Sequence, residues 1–241
     1  MTIGTNERFA LVTGTSSGIG AAVAKELLKR GWQVVGIARR AAKIEDKRYR
    51  HLALDLSELR SAAAKIEREV GAMLGERWQR VGLVNNAAVG LSGRIQDFDA
   101  GELARSFELN TAAPIWLMGF MIKRAKAPVR VVNVSSGAAV RPFPGLAAYC
   151  GAKAGLHLAG ASVAAEDAPN LHVLSYQPGV VDTEMQLSTR SKSLEGFPWG
   201  TTFRQYHAEG RLVPPERPAA DIVEFLEADG GERFTERRLA A

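Results

Sequence analysis

A doubly wound parallel sheet of about six or seven strands, covered by helices on both faces, is the α/β fold class that this sequence predicts. Three observations predict it. Short apolar runs such as Phe9-Ala10-Leu11-Val12 and Val81-Gly82-Leu83-Val84 recur along the chain, each the length of a buried strand. Segments of helical periodicity separate them. The polar and glycine-rich stretches fall where the apolar runs end, which is where an open parallel sheet binds its ligands. At 241 residues the chain suits one α/β core and is short for two domains plus a linker, so residues 1–241 are read as a single unit.

The first strand, Phe9 to Val12, runs into Thr13-Gly14, and a helix follows with apolar positions Ile19, Ala22, Val23, Leu27 and Leu28, closed by Gly31. Between them lies Thr13-Gly14-Thr15-Ser16-Ser17-Gly18-Ile19-Gly20. Glycines in such a turn let backbone approach a pyrophosphate, and the new helix offers free N–H groups and the positive end of its dipole. A glycine-rich turn alone is weak evidence; between a strand and a helix it points to a dinucleotide. Gln33 to Ala38 is the second strand and ends in Arg39-Arg40. A Rossmann-type fold places the adenosine ribose at this point, where a carboxylate accepts from a free 2′-hydroxyl and a guanidinium suits a 2′-phosphate. Ala38 followed by Arg39 therefore favours NADP(H) over NAD(H), with Arg40 either a second phosphate ligand or a solvated surface residue.

His51 to Leu54 is a third strand, followed by Asp55-Leu56 and an amphipathic helix from about Leu59 to Leu74. Asp55 either bonds near the adenine or caps its own turn. Val81 to Val84 is the fourth strand and ends in Asn85-Asn86-Ala87-Ala88. A helix from Asp99 is expected to carry Leu103, Phe107 and Leu109 inward and to continue through Asn110 toward Met121. Asn110 is polar in an otherwise apolar stretch, so it needs hydrogen-bond partners or a role at the site. Val129 to Val134 is the fifth strand, with Ser135-Ser136 at its end and a Gly/Pro-rich link from Arg141 to Gly145. The next helix holds Tyr149 and Lys153 together with Ala152, Ala154, Gly155, Ala159, Gly160 and Ala161, small residues that allow close packing against a helix of a second copy.

Leu171 to Tyr176 is the sixth strand, and Gln177 to Thr183 follows it. From Glu184 to Gly210 periodicity is lost while Phe197, Pro198, Trp199, Phe203 and Tyr206 appear, which reads as a long loop, either a lid over an apolar substrate or a plain structural flap. Ala219 to Ala228 reads as a last helix. The charged stretch Gly230 to Ala241 leaves a seventh strand open.

The net charge of +5 is spread over short basic pairs, Arg39-Arg40, Lys47-Arg48, Lys123-Arg124 and Arg237-Arg238, and not gathered into the dense basic clusters of a nucleic-acid binder. No run reaches membrane-spanning length, and the polar stretch Met1 to Arg8 shows no secretory pattern, so a cytoplasmic location is the expectation. Cys150 is the only cysteine, and His51, His157, His172 and His207 lack ligand spacing, so neither a disulfide nor a metal site is expected.

Tyr149 and Lys153 stand four apart, and Ser136 precedes the tyrosine by thirteen residues. On a helix the pair shares a face, so an ammonium beside the phenol can lower a pKa that is ordinarily near ~10 toward the working range of an acid/base. Tyrosine and lysine also meet at this spacing on ordinary helices, and the surrounding motifs decide between the two.

Those motifs are Thr13-Gly14-x-x-x-Gly18-Ile19-Gly20, Asn85-Asn86-Ala87, Asn110, Ser136, Tyr149-x-x-x-Lys153 and Pro178-Gly179-x-x-x-Thr183. In order and spacing they resemble the classical short-chain dehydrogenases/reductases across nearly the whole chain. Arg39, Ser135-Ser136-Gly137-Ala138, Pro178 to Gln186 and Glu209-Gly210-Arg211-Leu212 look like the sepiapterin-reductase and benzil-reductase branch. The resemblance implies an enzyme in which Tyr149 is the acid/base, Lys153 lowers its pKa and holds the nicotinamide ribose, Ser136 binds the substrate carbonyl, and Asn110 supports a proton relay through water. It implies cofactor contacts at Gly14, Ser16, Ser17, Gly18, Ile19 and Gly20, at Arg39, Arg40, Asp55 and Leu56, and at Asn86, Ala87 and Ala88. Further contacts are implied at Tyr149, Lys153, Pro178 and Gly179, with Val181 and Thr183 on the carboxamide. Ala88 stands where this family has glycine.

The implied reaction is NADPH-dependent reduction of a ketone or α-dicarbonyl, by a homodimer or homotetramer acting on a small molecule without nucleic acid or membrane. A regulator or scaffold that keeps the fold without turnover is the competing class, and the complete set of Asn110, Ser136, Tyr149 and Lys153 argues against it. A serine hydrolase is disfavoured because Ser136 lacks a G-x-S-x-G turn. His157 reads as a packing or interface residue, and Cys150 as a free buried thiol.

Overall fold

The computed structural model describes residues 7–75, 78–166, 168–191 and 197–240. Residues 1–6, 76–77, 167, 192–196 and Ala241 lie outside the described residues. Seven strands form one parallel sheet: β1 (Arg8–Thr13), β2 (Gln33–Ala38), β3 (Tyr49–Ala53), β4 (Arg80–Asn85), β5 (Val129–Val134), β6 (Leu171–Gln177) and β7 (Phe234–Arg238). Their spatial order is β3-β2-β1-β4-β5-β6-β7. The order reverses between β1 and β4, which lie side by side with Val12 opposite Val84, so the crevice of the fold opens at their carboxyl ends.

Strand residues alternate between two apolar layers, which is why these strands read as nearly continuous apolar runs. Phe9, Leu11, Leu83 and Val131 face one layer with α2 (Leu59–Leu74), α4 (Ala113–Arg124) and α5 (Ala147–Ala165). Ala10, Val12, Val84 and Val132 face the other with α1 (Gly18–Lys29) and α8 (Glu216–Glu227). Truncating a fully buried member such as Leu83 to alanine would cost about 2–5 kcal/mol. The last turn of α8 has no basic residue of its own. Arg130 donates to Phe225 O at 3.1 Å, and Arg80 to Leu226 O at 3.1 Å and Ala228 O at 2.6 Å. Two arginines from the sheet thus meet the helix end that carries partial negative charge.

Three expectations change. The charged end does form a strand: β7 pairs with β6 from Val173 opposite Phe234 to Gln177 opposite Arg238. Its charges lie along an edge strand, where they deter pairing with other chains and where no apolar run is required. The stretch after Thr183 is not a long loop in its described parts. It contains α6 (Glu184–Arg190), capped by the Thr183 hydroxyl, and α7 (Trp199–Ala208), entered through Pro198. Short helices pressed on by aromatics need no regular apolar stripe, so periodicity missed them.

The helix expected from Asp99 is interrupted. Asp99 Oδ1 accepts from Glu102 N and opens α3 (Ala100–Phe107), a five-residue π turn follows over Glu108–Ala112, and α4 continues from it. The wider turn changes the phase of the helix. Phe107 consequently points outward at 38 % exposure while Asn110 is fully buried, reversing the expected direction of Phe107.

Candidate active site

The glycine turn joins β1 to α1 and is locked to the end of β4. Thr13 Oγ1 accepts from Asn86 N at 2.9 Å and Ala87 N at 3.0 Å, and Asn86 Nδ2 donates to Thr13 O at 2.9 Å. Gly14 has φ +77°, and a Cβ there would stand 2.6 Å from Asn86 Nδ2; a Cβ at Gly20 would stand 2.4 Å from Gly14 O. Glycine is therefore required at both positions for the three segments to approach. Ser17 at the start of α1 makes no side-chain cap, and the first turn holds no acidic residue. Its N–H groups keep their capacity for an anion, as the pyrophosphate of a dinucleotide requires.

At the end of β2 both arginines meet carboxylates. Arg39 lies 3.7 Å from Asp55 Oδ2, and Arg40 pairs with Glu184 at the start of α6. Asp55 Oδ1 accepts from Ser57 N at 2.9 Å and Ser57 Oγ at 2.7 Å, so Asp55 caps its turn with one oxygen and faces Arg39 with the other. Burial works to raise this carboxyl, but the Ser57 hydrogen bonds and the Arg39 charge outweigh it and hold it below its ordinary value. Leu56 packs into the core, which leaves only its backbone for a ligand.

Asn110 is held by a two-way bond to the loop after Ala88: Val89 N donates to Asn110 Oδ1 and Asn110 Nδ2 donates to Val89 O, both at 2.9 Å. Thr183 reaches the same region from the other side. Its Oγ1 accepts from Gln186 N, and its methyl group packs on Gly18, 2.9 Å from where a Cβ would stand. Val181 bridges to Val213, which fixes the segment from Pro178 and Gly179 over the sheet's carboxyl edge. The ends of β1, β4 and β6 are thereby drawn together.

Ser136, Tyr149 and Lys153 converge from β5 and α5. Ser136 Oγ accepts from Ala138 N at 3.2 Å, and its hydroxyl is close enough to the Tyr149 phenol to act on its pKa. Burial pushes that phenol up to about 12; the Ser136 hydroxyl pulls it down and Cys150 pushes it further up. Lys153 is 2 % exposed, donates from Nζ to Val134 O at 2.7 Å, and is pushed down to about 8 by burial. The expected lowering of the phenol by the lysine is absent here. The ammonium sits 5.8 Å from the ring centroid with a carbonyl as its partner, and desolvation of the phenol dominates. At neutral pH the arrangement holds a protonated phenol next to a hydroxyl, which is an acid ready to give a proton to an oxygen.

Two buried polar atoms at this edge, Ser135 Oγ and Gln186 Nε2, have no hydrogen-bond partner among the described residues. Such atoms call for a partner that the chain does not supply, and together with the free α1 N-terminus they fit a polar dinucleotide laid across the crevice.

Arg141 and Phe143 were not singled out by the sequence reading. The Arg141 guanidinium lies 4.8 Å above the Phe143 ring, whose edge meets Trp199 of α7 at 4.8 Å. An arginine and an aromatic flanking Pro142 and Pro144 were the available signal in a link read only for its turns. His157 is a packing residue, with Nδ1 2.9 Å from Ser175 Oγ and its ring against Phe234. Cys150 is partly exposed rather than buried, because its helix face turns toward Arg141 O, 3.9 Å from Sγ.

A family model described as short chain dehydrogenase matches residues 8–194. The benzil reductase ((S)-benzoin forming) of Bacillus subtilis (strain 168) is 33% identical over 225 residues, covering 90% of this chain and 92% of that protein. The sepiapterin reductase of Xenopus tropicalis is 30% identical over 241 residues, covering 91% of each. Among solved structures, the KRED1-Pglu enzyme superposes with a TM-score of 0.80 at 28% identity, over 95% of this chain and 100% of that one.

Proposed function

The chain belongs to the short-chain dehydrogenase family, and from that premise we propose that it is an NADPH-dependent reductase converting a ketone or α-dicarbonyl to an alcohol. The observation that carries this reading is the meeting of Ser136, a protonated Tyr149 and Lys153 at the sheet edge that also holds the glycine turn. When bound, the nicotinamide supplies hydride to the carbonyl carbon. Ser136 hydrogen-bonds the carbonyl oxygen and Tyr149 donates the proton that the developing alkoxide needs. Lys153, exchanging Val134 O for a ribose hydroxyl, holds the cofactor and places positive charge near the phenol as it loses its proton. Asn110 positions the loop at Val89 and borders the route by which water restores that proton.

Gly14, Ser16, Ser17, Gly18, Ile19 and Gly20 hold the pyrophosphate, Asn86, Ala87 and Ala88 the adjoining ribose, and Val181 and Thr183 the carboxamide. Arg39 reads a 2′-phosphate, supported by the absence of a carboxylate at Ala38 and by Asp55 giving Oδ1 to Ser57, so that only its Oδ2, 3.7 Å away, competes for the guanidinium. The likeness to benzil and sepiapterin reductases supports a compact, partly aromatic dicarbonyl as substrate, and the Phe143–Trp199 pair supports the same class. The test is NADPH oxidation against α-diketones, aldehydes, pterins and monoketones. Absence of turnover with every class, with NADPH still bound, would leave a dinucleotide-binding protein instead.

A further inference from the structure

Arg141 stands five residues after Ser136 and eight before Tyr149. It is tied to both ends of that segment. Its guanidinium lies against the open face of Gly137, where a Cβ would stand 3.5 Å from Nε, and its carbonyl faces Cys150 Sγ. Phe143 supports the guanidinium from below, and Trp199 supports Phe143 in turn. The side chain is exposed, and it has no carboxylate partner among the described residues. Arg39, Arg40, Arg190 and Arg211 around the same edge are each paired with one.

A guanidinium stacked on a ring keeps its face apolar and its in-plane N–H donors free, and those donors suit a planar oxygen acceptor. Ser136 and Tyr149 together address one oxygen, that of the carbonyl to be reduced. From the geometry we infer that Arg141 determines substrate specificity by binding the second oxygen of an α-dicarbonyl, the one on the carbon next to the reacting carbonyl. A diketone oxygen and the carboxylate of an α-keto acid present the same acceptor chemistry, and the charged one is bound more strongly. This inference rests on the reductase reading given above.

The test compares full-length wild type with Arg141→Met on three substrates under saturating NADPH: 1-phenyl-1,2-propanedione, phenylglyoxylate and propiophenone. Loss of a charged hydrogen bond is worth roughly 10-fold or more. The ratio of kcat/KM for the diketone over that for propiophenone is expected to fall by about that factor through KM, and the ratio for phenylglyoxylate by more. A fall confined to phenylglyoxylate would assign Arg141 to acids alone and overturn the diketone part. Equal losses on all three substrates, or ratios that do not move, would overturn the inference while wild-type turnover upholds the reductase reading. No wild-type turnover on any of the three would overturn both. Melting temperature and NADPH dissociation constant, measured on the same samples, separate an unfolded or cofactor-deficient variant, and Phe143→Leu, which removes the platform, should move the ratios in the same direction.

Discussion

Asn110 and Val89 exchange both amide hydrogen bonds, each at 2.9 Å, so that a buried side chain takes the place of a neighbouring strand for a loop that lacks one. Asn110→Ala should cost about 1–2 kcal/mol in urea unfolding, the scale of one or two lost hydrogen bonds. Turnover should fall severalfold beyond that. A variant with wild-type turnover would confine Asn110 to holding the loop.

Tyr149→Phe removes the phenol hydroxyl, the proton donor of the proposed mechanism, and leaves the ring in place. Turnover should fall by roughly 10²-fold or more while NADPH binding stays nearly intact. The check is single-turnover kinetics beside fluorescence titration of NADPH; near-normal turnover would remove Tyr149 from the mechanism.

Arg39→Asp should weaken NADPH relative to NADH, since it replaces the proposed 2′-phosphate partner with a repelling charge beside Asp55. Dissociation constants for the two cofactors give the preference ratio directly. An unchanged ratio would mean that the 2′-phosphate is read elsewhere, with Arg40 the next candidate once freed from Glu184.

Burial lowers Lys153 to about 8 in the folded protein, against 10.5 for the free side chain. Between these values the unfolded chain binds more protons, so this group makes stability rise with pH over that window. Tyr149, raised from 10.0 to about 12, works the other way above pH 10, where the unfolded chain releases its proton first. The stability difference between wild type and Lys153→Met, from denaturant curves, should therefore increase from pH 7.5 to pH 9.5. A flat difference would show that the ammonium is not desolvated.

Self-association is expected through the outer face of α5, where Gly151, Gly155 and Leu158 are exposed beside Phe107 and Ile115. Light scattering should give a multiple of the 26.0 kDa chain mass, and Leu158→Glu should reduce it. A monomer mass for the wild type would leave this apolar face without its expected partner.

Most of the fold was legible because five of the strands, β1, β2, β4, β5 and β6, are buried on both sides and announce themselves as apolar runs with turn residues at their ends, and the edge strand β3 still shows a short apolar run from Leu52. β7 was not, since a charged edge strand has no such run and is fixed by its pairing with β6. The glycine turn, Ser136, Tyr149 and Lys153 were legible from type and spacing. Their electrostatics were not: whether an ammonium lowers a phenol depends on where Nζ is held, and Val134 O is invisible in a string of letters. Arg141 escaped notice for a similar reason, because its position depends on contacts to Gly137 and Phe143 that only the folded loop creates.

The π turn at Glu108–Ala112 carries one residue more than an α-helical turn of the same span. Chain length is therefore a functional variable at this point. Deleting a single residue between Phe107 and Ala113 would restore an unbroken helix and swing Asn110 about 100° away from Val89, given ~3.6 residues per turn. An insertion or deletion in this helix would therefore change the crevice beside Val89, even with every residue nominated for catalysis retained.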